Sequence, residues 1–359
     1  MKLYCEAEFF ETNIDFSEPF EIVQKELIFR KVIDPRQSKY SFSPVKVIYT
    51  CSFEKSENFS ASKPTIIIPI RDNTELLKFT LDNLETNNIT KHCNIIIVDD
   101  RSEQDLLSIA KQSSHSYLRV DNKKGFNFSM LNNIAAKICH QLENDTVIFW
   151  NSDLWAPNED MFLELMRRHH QAGSKISGSK LLYPPASMSS FNDNKEVDTE
   201  NIKNIFPHLK GGLWRETVQF GGSHWVNTPG SPIDLSPVHF KRFTSITDPL
   251  VNCDKGETFV TGALHVCDLN FFIEMGGFNP SLSKVFQDVD ICLRAYELGH
   301  CVMYFGKDIF FYHDESHITA KNKTNDFQWH SDHYLFAKVW NSKMDLIIGH
   351  GRPSEQVAK

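Results

Sequence analysis

Two carboxylates two residues apart, Asp288 and Asp290, open the stretch "QDVDICLRAYELGH". At a helix start they can satisfy free backbone N–H groups and suit the positive end of the dipole. Alternatively, one of them is held beside a substrate proton as a general base. A second group lies in "NSD", where Asp153 follows the apolar run "TVIFW". A carboxylate at the tip of a buried strand suits a divalent cation that bridges a diphosphate. The same residues also serve as a turn or cap before "APNEDMF". His313 ends the run "IFFYH". A neutral imidazole there is a ligand for Mn-like metals or a structural histidine. "VDD" offers acceptors for a nucleobase or ribose, or a loop cap. Gly262 and Ala263, in "VTGALHV", mark either a close approach by ligand or backbone or tight packing.

These groups need a frame, and the text from Pro64 onward supplies one. "TIIIPI" (65–70), "NIIIVDD" (94–100), "YLRVDN" (117–122) and "TVIFWNSD" (146–153) are short apolar, largely β-branched runs, as expected of strands buried on both faces. Between them lie helical patterns, the first with Leu77, Leu81 and Leu84 at helical spacing. Strands alternating with helices predict right-handed βαβ units and a mainly parallel sheet flanked by helices. Ligands of such sheets sit beyond the carboxyl ends of the strands, where "IRDN", "DDRS" and "NSD" fall. The second half is less regular. Residues 184–257 read as long loops around short elements, "TFVTGALHV" (258–266) as a strand, and "DLNFFIEMGGF" as a short helix closed by Gly276 and Gly277.

The bulk properties bound the function. The chain of 359 residues is 41% hydrophobic and 23% charged, enough for a sizeable core. Its net charge of -8 argues against a nucleic-acid binder that works by bulk charge. The first residues are broken by Glu6, Glu8 and Glu11, unlike a signal peptide. The eight cysteines form no CxxC pair. Both features lead to the expectation of a cytoplasmic protein with reduced thiols.

The order of the motifs is more specific than any one of them. "PI", "VDD", "GFNFSMLNN", "NSD", "GSKLLYP", "VTGAL", "GGF", "QDVDICLRAYELGH" and "YHDES" follow one another from about Lys63 to His317. This series resembles the family 2 glycosyltransferases of the GT-A fold, a Rossmann-like nucleotide-diphospho-sugar-binding architecture. The nearest likeness is to bacterial enzymes that build surface polysaccharides such as O-antigens, capsules and rhamnose-containing chains. The resemblance implies a GT-A domain over 63–320, with a nucleotide-binding half (63–153) and an acceptor and catalytic half (154–320). It leaves a strand-rich accessory segment over 1–62 and a C-terminal helix or lid over 321–359, where "NDFQWHSDHYLFAKVW" has helical spacing.

By resemblance, Pro69, Arg71 and Asp99 lie near the base and ribose, with Asp99 the best candidate for a base contact. Asn133 lies near the sugar-diphosphate, and Ser152 belongs with the nucleotide-binding residues. "NSD" matches the family's DxD metal motif with Asn151 in place of the first carboxylate, so Asp153 is the strong ligand, joined by His313. The implied cofactor is Mn²⁺ or Mg²⁺ on the donor diphosphate. Asp288 matches the catalytic base of an inverting transfer, with Asp290 as a cap or supporting residue. Gly262, Ala263, Trp214 and Trp225 are candidates for the sugar and acceptor side, although the tryptophans equally suit a core. The implied partners are a nucleotide-sugar donor and a glycan or lipid-linked saccharide acceptor. A lipid-linked acceptor would bring peripheral contact with the inner face of the membrane. Two other readings compete. A sugar nucleotidyltransferase would need a Gly-rich phosphate loop, and "PIRDNTELL" has no glycine. A non-catalytic binding or assembly subunit would accommodate Asn151 but leaves Asp288 and His313 unexplained.

Overall fold

The computed structural model describes residues 5–8, 20–31, 45–122, 125–188, 215–228, 230–314 and 327–344. Trp214 and His317 lie outside them.

The chain begins with β1 (Cys5–Glu8), β2 (Phe20–Lys31) and β3 (Val45–Glu54). It then alternates β4 (Thr65–Ile70), α1 (Thr74–Thr86), β5 (Asn94–Asp99), α2 (Leu106–Gln112), β6 (Ser116–Asn122), α3 (Phe128–Gln141) and β7 (Thr146–Trp150). There follow β8 (Leu154–Trp155), α4 (Glu159–Ala172), β9 (Ile176–Ser179), β10 (Leu181–Leu182), β11 (Val218–Phe220), β12 (Ser223–Val226), β13 (Ser236–His239) and β14 (Asp254–Glu257). The last elements are β15 (Leu264–Asp268), α5 (Leu269–Glu274), α6 (Gln287–Glu297), β16 (Val302–Phe305), β17 (Phe311–His313) and α7 (Phe327–Trp340).

One large sheet carries the order β1-β2-β3-β6-β5-β4-β7-β15-β9-β16-β14. Its centre is parallel: β6 with β5, β5 with β4, and β4 with β7, joined by α1, α2 and α3 as the βαβ pattern requires. β15 runs antiparallel between β7 and β9, β16 is parallel to β9, and β14 is antiparallel to β16. The N-terminal strands continue the same sheet, because β3 pairs antiparallel with β6. A second sheet, β11-β10-β17-β8, brings residues after β7 against His313.

The sequence explains the core. β4, β5 and β7 are buried along their whole length, as their unbroken apolar runs demand. α1 buries Leu77, Leu81 and Leu84 and is capped by Asn73, whose side chain accepts from the Leu76 N–H. One expectation is corrected here. The strand read into 258–266 starts only at Leu264, and residues 258–263 are an irregular link. Gly262 and Ala263 therefore stand at a strand entrance, not inside a strand.

The core also holds a charge liability. His265 is wholly buried, edge-on to Phe149 at 6.2 Å and Phe278 at 5.8 Å between ring centroids. Neither of its ring nitrogens has a hydrogen-bond partner among the described residues. Burial pushes its pKa down to about 3. A histidine whose folded pKa is depressed supports the fold above its unfolded pKa, near 6.5, and that support is lost as pH falls toward the folded value. The urea midpoint should therefore fall between pH 7.5 and 5.5. In His265→Leu the accompanying fall in unfolding free energy should be smaller by about 1.4 kcal/mol. Equal slopes for the two proteins in pH-resolved urea melts would rule this out.

Candidate functional site

A cavity of about 450 Å³ opens beside the start of α6. Its walls include Asn151 and His313 from the β7 and β17 tips, Gly262 and Ala263 from the link before β15, and Gln287 and Asp288 from α6. Residues 162 positions apart in the chain thus meet in one space. β8 accounts for part of this: it pairs with β17 so that His313 lies opposite Leu154, next to Asp153.

Asp288 is held by the backbone. Its Oδ2 accepts the Gly262 N–H at 2.6 Å, and its Oδ1 accepts the Val289 N–H at 2.9 Å. Burial raises its pKa above the usual carboxylate value against the pull of these two bonds. The close approach explains Gly262. A Cβ there would lie 3.2 Å from the Asp288 Cβ, tighter than ordinary contact.

Asp290 points elsewhere, as two residues of helix turn dictate. It is 2% exposed, accepts from Arg294 Nε at 2.9 Å and from the Trp340 indole at 3.0 Å. The capping role expected for Asp290 is corrected, because no side chain caps α6. The helix starts instead at Phe286, whose φ of 67° is rare for a large L-residue. Phe286 packs against His333 and Phe336 of α7, at 4.6 and 4.7 Å between centroids. Asp332 of the same helix accepts from the Lys284 and Val285 N–H groups at 2.8 and 3.1 Å. Thus α7 grips the segment that delivers Asp288, and its Trp329 forms part of the cavity wall.

Asp153 and His313 come together, with Oδ1 and Nε2 3.3 Å apart, and the Asn151 amide nitrogen lies 3.4 Å from the same Nε2. A carboxylate and an imidazole suit Mn²⁺ or Mg²⁺ when the remaining ligands are phosphate and water. Among the described residues no group of three or more His, Cys, Asp and Glu gathers into a metal site. The side chains present therefore fit a cation only in company with a phosphate-bearing ligand.

The nucleotide-side expectations fare unevenly. Arg71, at the tip of β4, is 39% exposed and lies 3.8 Å from the Asp100 carboxylate. Pro69 is buried inside β4, opposite Val98. Ser152 gives its carbonyl to Thr80 Oγ1 at 2.5 Å. Asp99, the expected base contact, has protein partners on its carboxylate. Asp99 is fully buried and accepts from the Ser102 N–H at 2.7 Å, from Arg119 at 2.9 Å and from the Tyr117 hydroxyl. It shapes the loop and orients Arg119. Asn133, expected near the sugar-diphosphate, spends its side chain on the backbone. Its amide brackets Phe278, donating to the carbonyl at 2.8 Å and accepting from the N–H at 2.9 Å. A Cβ at Gly277 would collide with it, so Asn133 locks the "GGF" turn. Trp225 lies outside the cavity wall, donating to Thr258 Oγ1 at 2.9 Å and packing on Phe259.

Comparison with known proteins gives the arrangement a context. The chain is 25% identical over 241 residues to the uncharacterized protein y4gI of Sinorhizobium fredii, covering 66% of this chain and 23% of that protein. It is 21% identical over 256 residues to the O-antigen biosynthesis protein RfbC of Myxococcus xanthus, covering 71% and 17%. The chain thus spans less than a quarter of either relative. Among solved structures it is similar to GalNAc-T7 with UDP, GalNAc and Mn²⁺, at a TM-score of 0.48 and 12% identity over 72% of this chain and 44% of that one. It is also similar to Staphylococcus aureus TarS 1-349 in complex with UDP-GlcNAc, at 0.42 and 13% over 70% and 58%. No protein-family model matches this chain. No helix among the described residues is long and apolar enough to cross a membrane.

Gln219, His239 and Trp329 are among the wall residues that no motif marked. Gln219 and His239 come from the short strands β11 and β13, in a stretch with no motif, and Trp329 sits in a tail helix with no local sign of a site. Only the aromatic run around Trp329 offered a signal, and packing explained it equally well.

Proposed function

We propose that this chain is an inverting glycosyltransferase. It moves a sugar from a nucleotide-diphospho-sugar to a hydroxyl of a glycan or lipid-linked acceptor, in the making of a surface polysaccharide. The observation that carries the reading is a single cavity that holds Asp288 together with Asn151 and His313, with Asp153 beside His313. The likeness of part of the chain to an O-antigen biosynthesis protein supports the polysaccharide setting.

In this reading Asp288 takes the proton of the acceptor hydroxyl as that oxygen attacks the anomeric carbon. Attack from the face opposite the leaving diphosphate inverts the configuration. The raised pKa suits the task, since a base works best when its affinity for the proton approaches the working pH. The Gly262 and Val289 N–H groups fix the carboxylate and keep it from turning away. Asp153 and His313 would hold the divalent cation, which when bound offsets charge on the departing diphosphate. Arg71 and the loop shaped by Asp99 border the nucleotide end of the sheet.

Asp153→Ala should lower Mn²⁺-dependent release of nucleoside diphosphate by about a hundredfold, the scale of a lost electrostatic stabiliser. Exhaustive chelation should do the same to the wild-type protein. Turnover untouched by both treatments would remove the metal from the account. A chain that binds donor but never turns it over would favour a binding subunit.

A further inference from the structure

The cavity contains two acceptors that the protein leaves unmatched. Gln219 Oε1 and Gln287 Oε1 are buried and have no hydrogen-bond partner among the described residues. The two residues are 1% and 7% exposed, and both line the cavity wall. Gln219 is in the middle of β11, and Gln287 immediately precedes Asp288 at the start of α6. A buried amide oxygen left unpaired is costly, and native proteins hold such groups where a ligand or ordered water completes them. Beside them, Trp329, Phe259 and Phe286 give the same cavity an aromatic lining. Acceptor oxygens beside aromatic faces fit a ring that carries hydroxyl donors around its edge and C–H groups on its face.

We infer that Gln219, Gln287 and Trp329 form the subsite for the acceptor sugar, a pyranose that donates one hydroxyl to each glutamine oxygen and presents another to Asp288. This rests on the transferase reading and deepens it. It explains why β11, in a stretch that carries no motif, contributes a buried glutamine to the wall. It assigns acceptor choice to β11 and to α7, apart from the nucleotide end. A site that must satisfy two buried oxygens rejects a ring lacking the matching hydroxyl far more strongly than a purely apolar pocket would.

The test uses the full chain and methyl pyranosides of glucose, galactose, mannose, rhamnose and N-acetylglucosamine, with binding read by saturation-transfer NMR. At least one glycoside should bind, and its affinity should fall tenfold or more in both Gln219→Met and Trp329→Ala. One monodeoxy derivative should bind the wild-type protein equally weakly, with no further loss on Gln219→Met. Met is close in volume, and Trp329 is only half-buried, so the two variants do not share a folding risk. Circular dichroism melts check each one. Failure of all five glycosides to bind, or binding unchanged in both folded variants, overturns the subsite and leaves water as the partner of the glutamines. UDP, GDP and dTDP binding to the wild-type protein with Mn²⁺ is measured alongside. If no nucleotide binds, the transferase reading itself fails. If one binds and no glycoside does, only the subsite fails.

Discussion

Asp288→Asn should lower sugar transfer by about 10²–10⁴-fold, the range for loss of a positioned general base. Nucleoside diphosphate and Mn²⁺ should still bind, because the Asp288 carboxylate is anchored on the Gly262 and Val289 N–H groups, whereas Asp153 meets His313 and Arg71 meets Asp100. The fall should appear in kcat rather than in the donor KM, as for a group that acts only as the hydroxyl attacks. The pH profile adds a sign. A carboxylate whose pKa burial has raised is protonated, and idle as a base, over a wider acid range than a free aspartate. kcat/KM in the wild-type protein should therefore fall on the acid side at a pH above the usual carboxylate value, and the residual activity of Asp288→Asn should lack that limb. Steady-state kinetics from pH 4.5 to 8 would check both points.

Asp290→Ala should be the more damaging change to the fold. It strips the partner from Arg294, 13% exposed, and from the buried Trp340 indole. Breaking a buried ion pair from one side costs about 3–5 kcal/mol, because the remaining charge stays buried and uncompensated. Arg294 also donates to the Met275 and Gly277 carbonyls, so the "GGF" turn loosens with it. The effect should reach the site by a second route. α7 would lose its Trp340 anchor, and α7 carries Asp332 and Trp329. Asp290→Asn, which keeps an acceptor for the indole, should cost less than Asp290→Ala. Equilibrium urea unfolding of the three proteins measures this. Equal stability of wild type and Asp290→Ala would show that the α6–α7 contact contributes little.

The two neighbouring carboxylates show what the sequence could and could not disclose. Their place after a run of parallel βαβ units, and before His313, makes one of them a candidate base by resemblance. Helix geometry alone then required the other to face away. That Asp290 would meet Trp340, fifty residues on, is a tertiary fact with no local trace. The same division runs through the chain. β4, β5 and β7 were legible because a strand buried on both faces must be apolar throughout, and α1 because its leucines recur at the helical period. The partners of Asp99 and Asn133 were not legible, for the opposite reason. A polar side chain at a strand tip or on a helix reads the same whether it faces a ligand or a backbone group. Only packing reveals that Asn133 embraces Phe278 and that Asp99 is held by Ser102, Tyr117 and Arg119. Gly262 stood out by residue type, but its reason, room for Asp288, needed both segments in place.

The central claim is that this cavity transfers an activated sugar with Asp288 as base. It is tested most directly by release of nucleoside diphosphate from a panel of UDP-, GDP- and dTDP-sugars with Mn²⁺, comparing the wild-type protein and Asp288→Asn side by side. The account predicts turnover of at least one donor by the wild-type protein and a loss of about a hundredfold or more in the variant. Equal release by the two proteins, or none from any donor by the wild type, would contradict it.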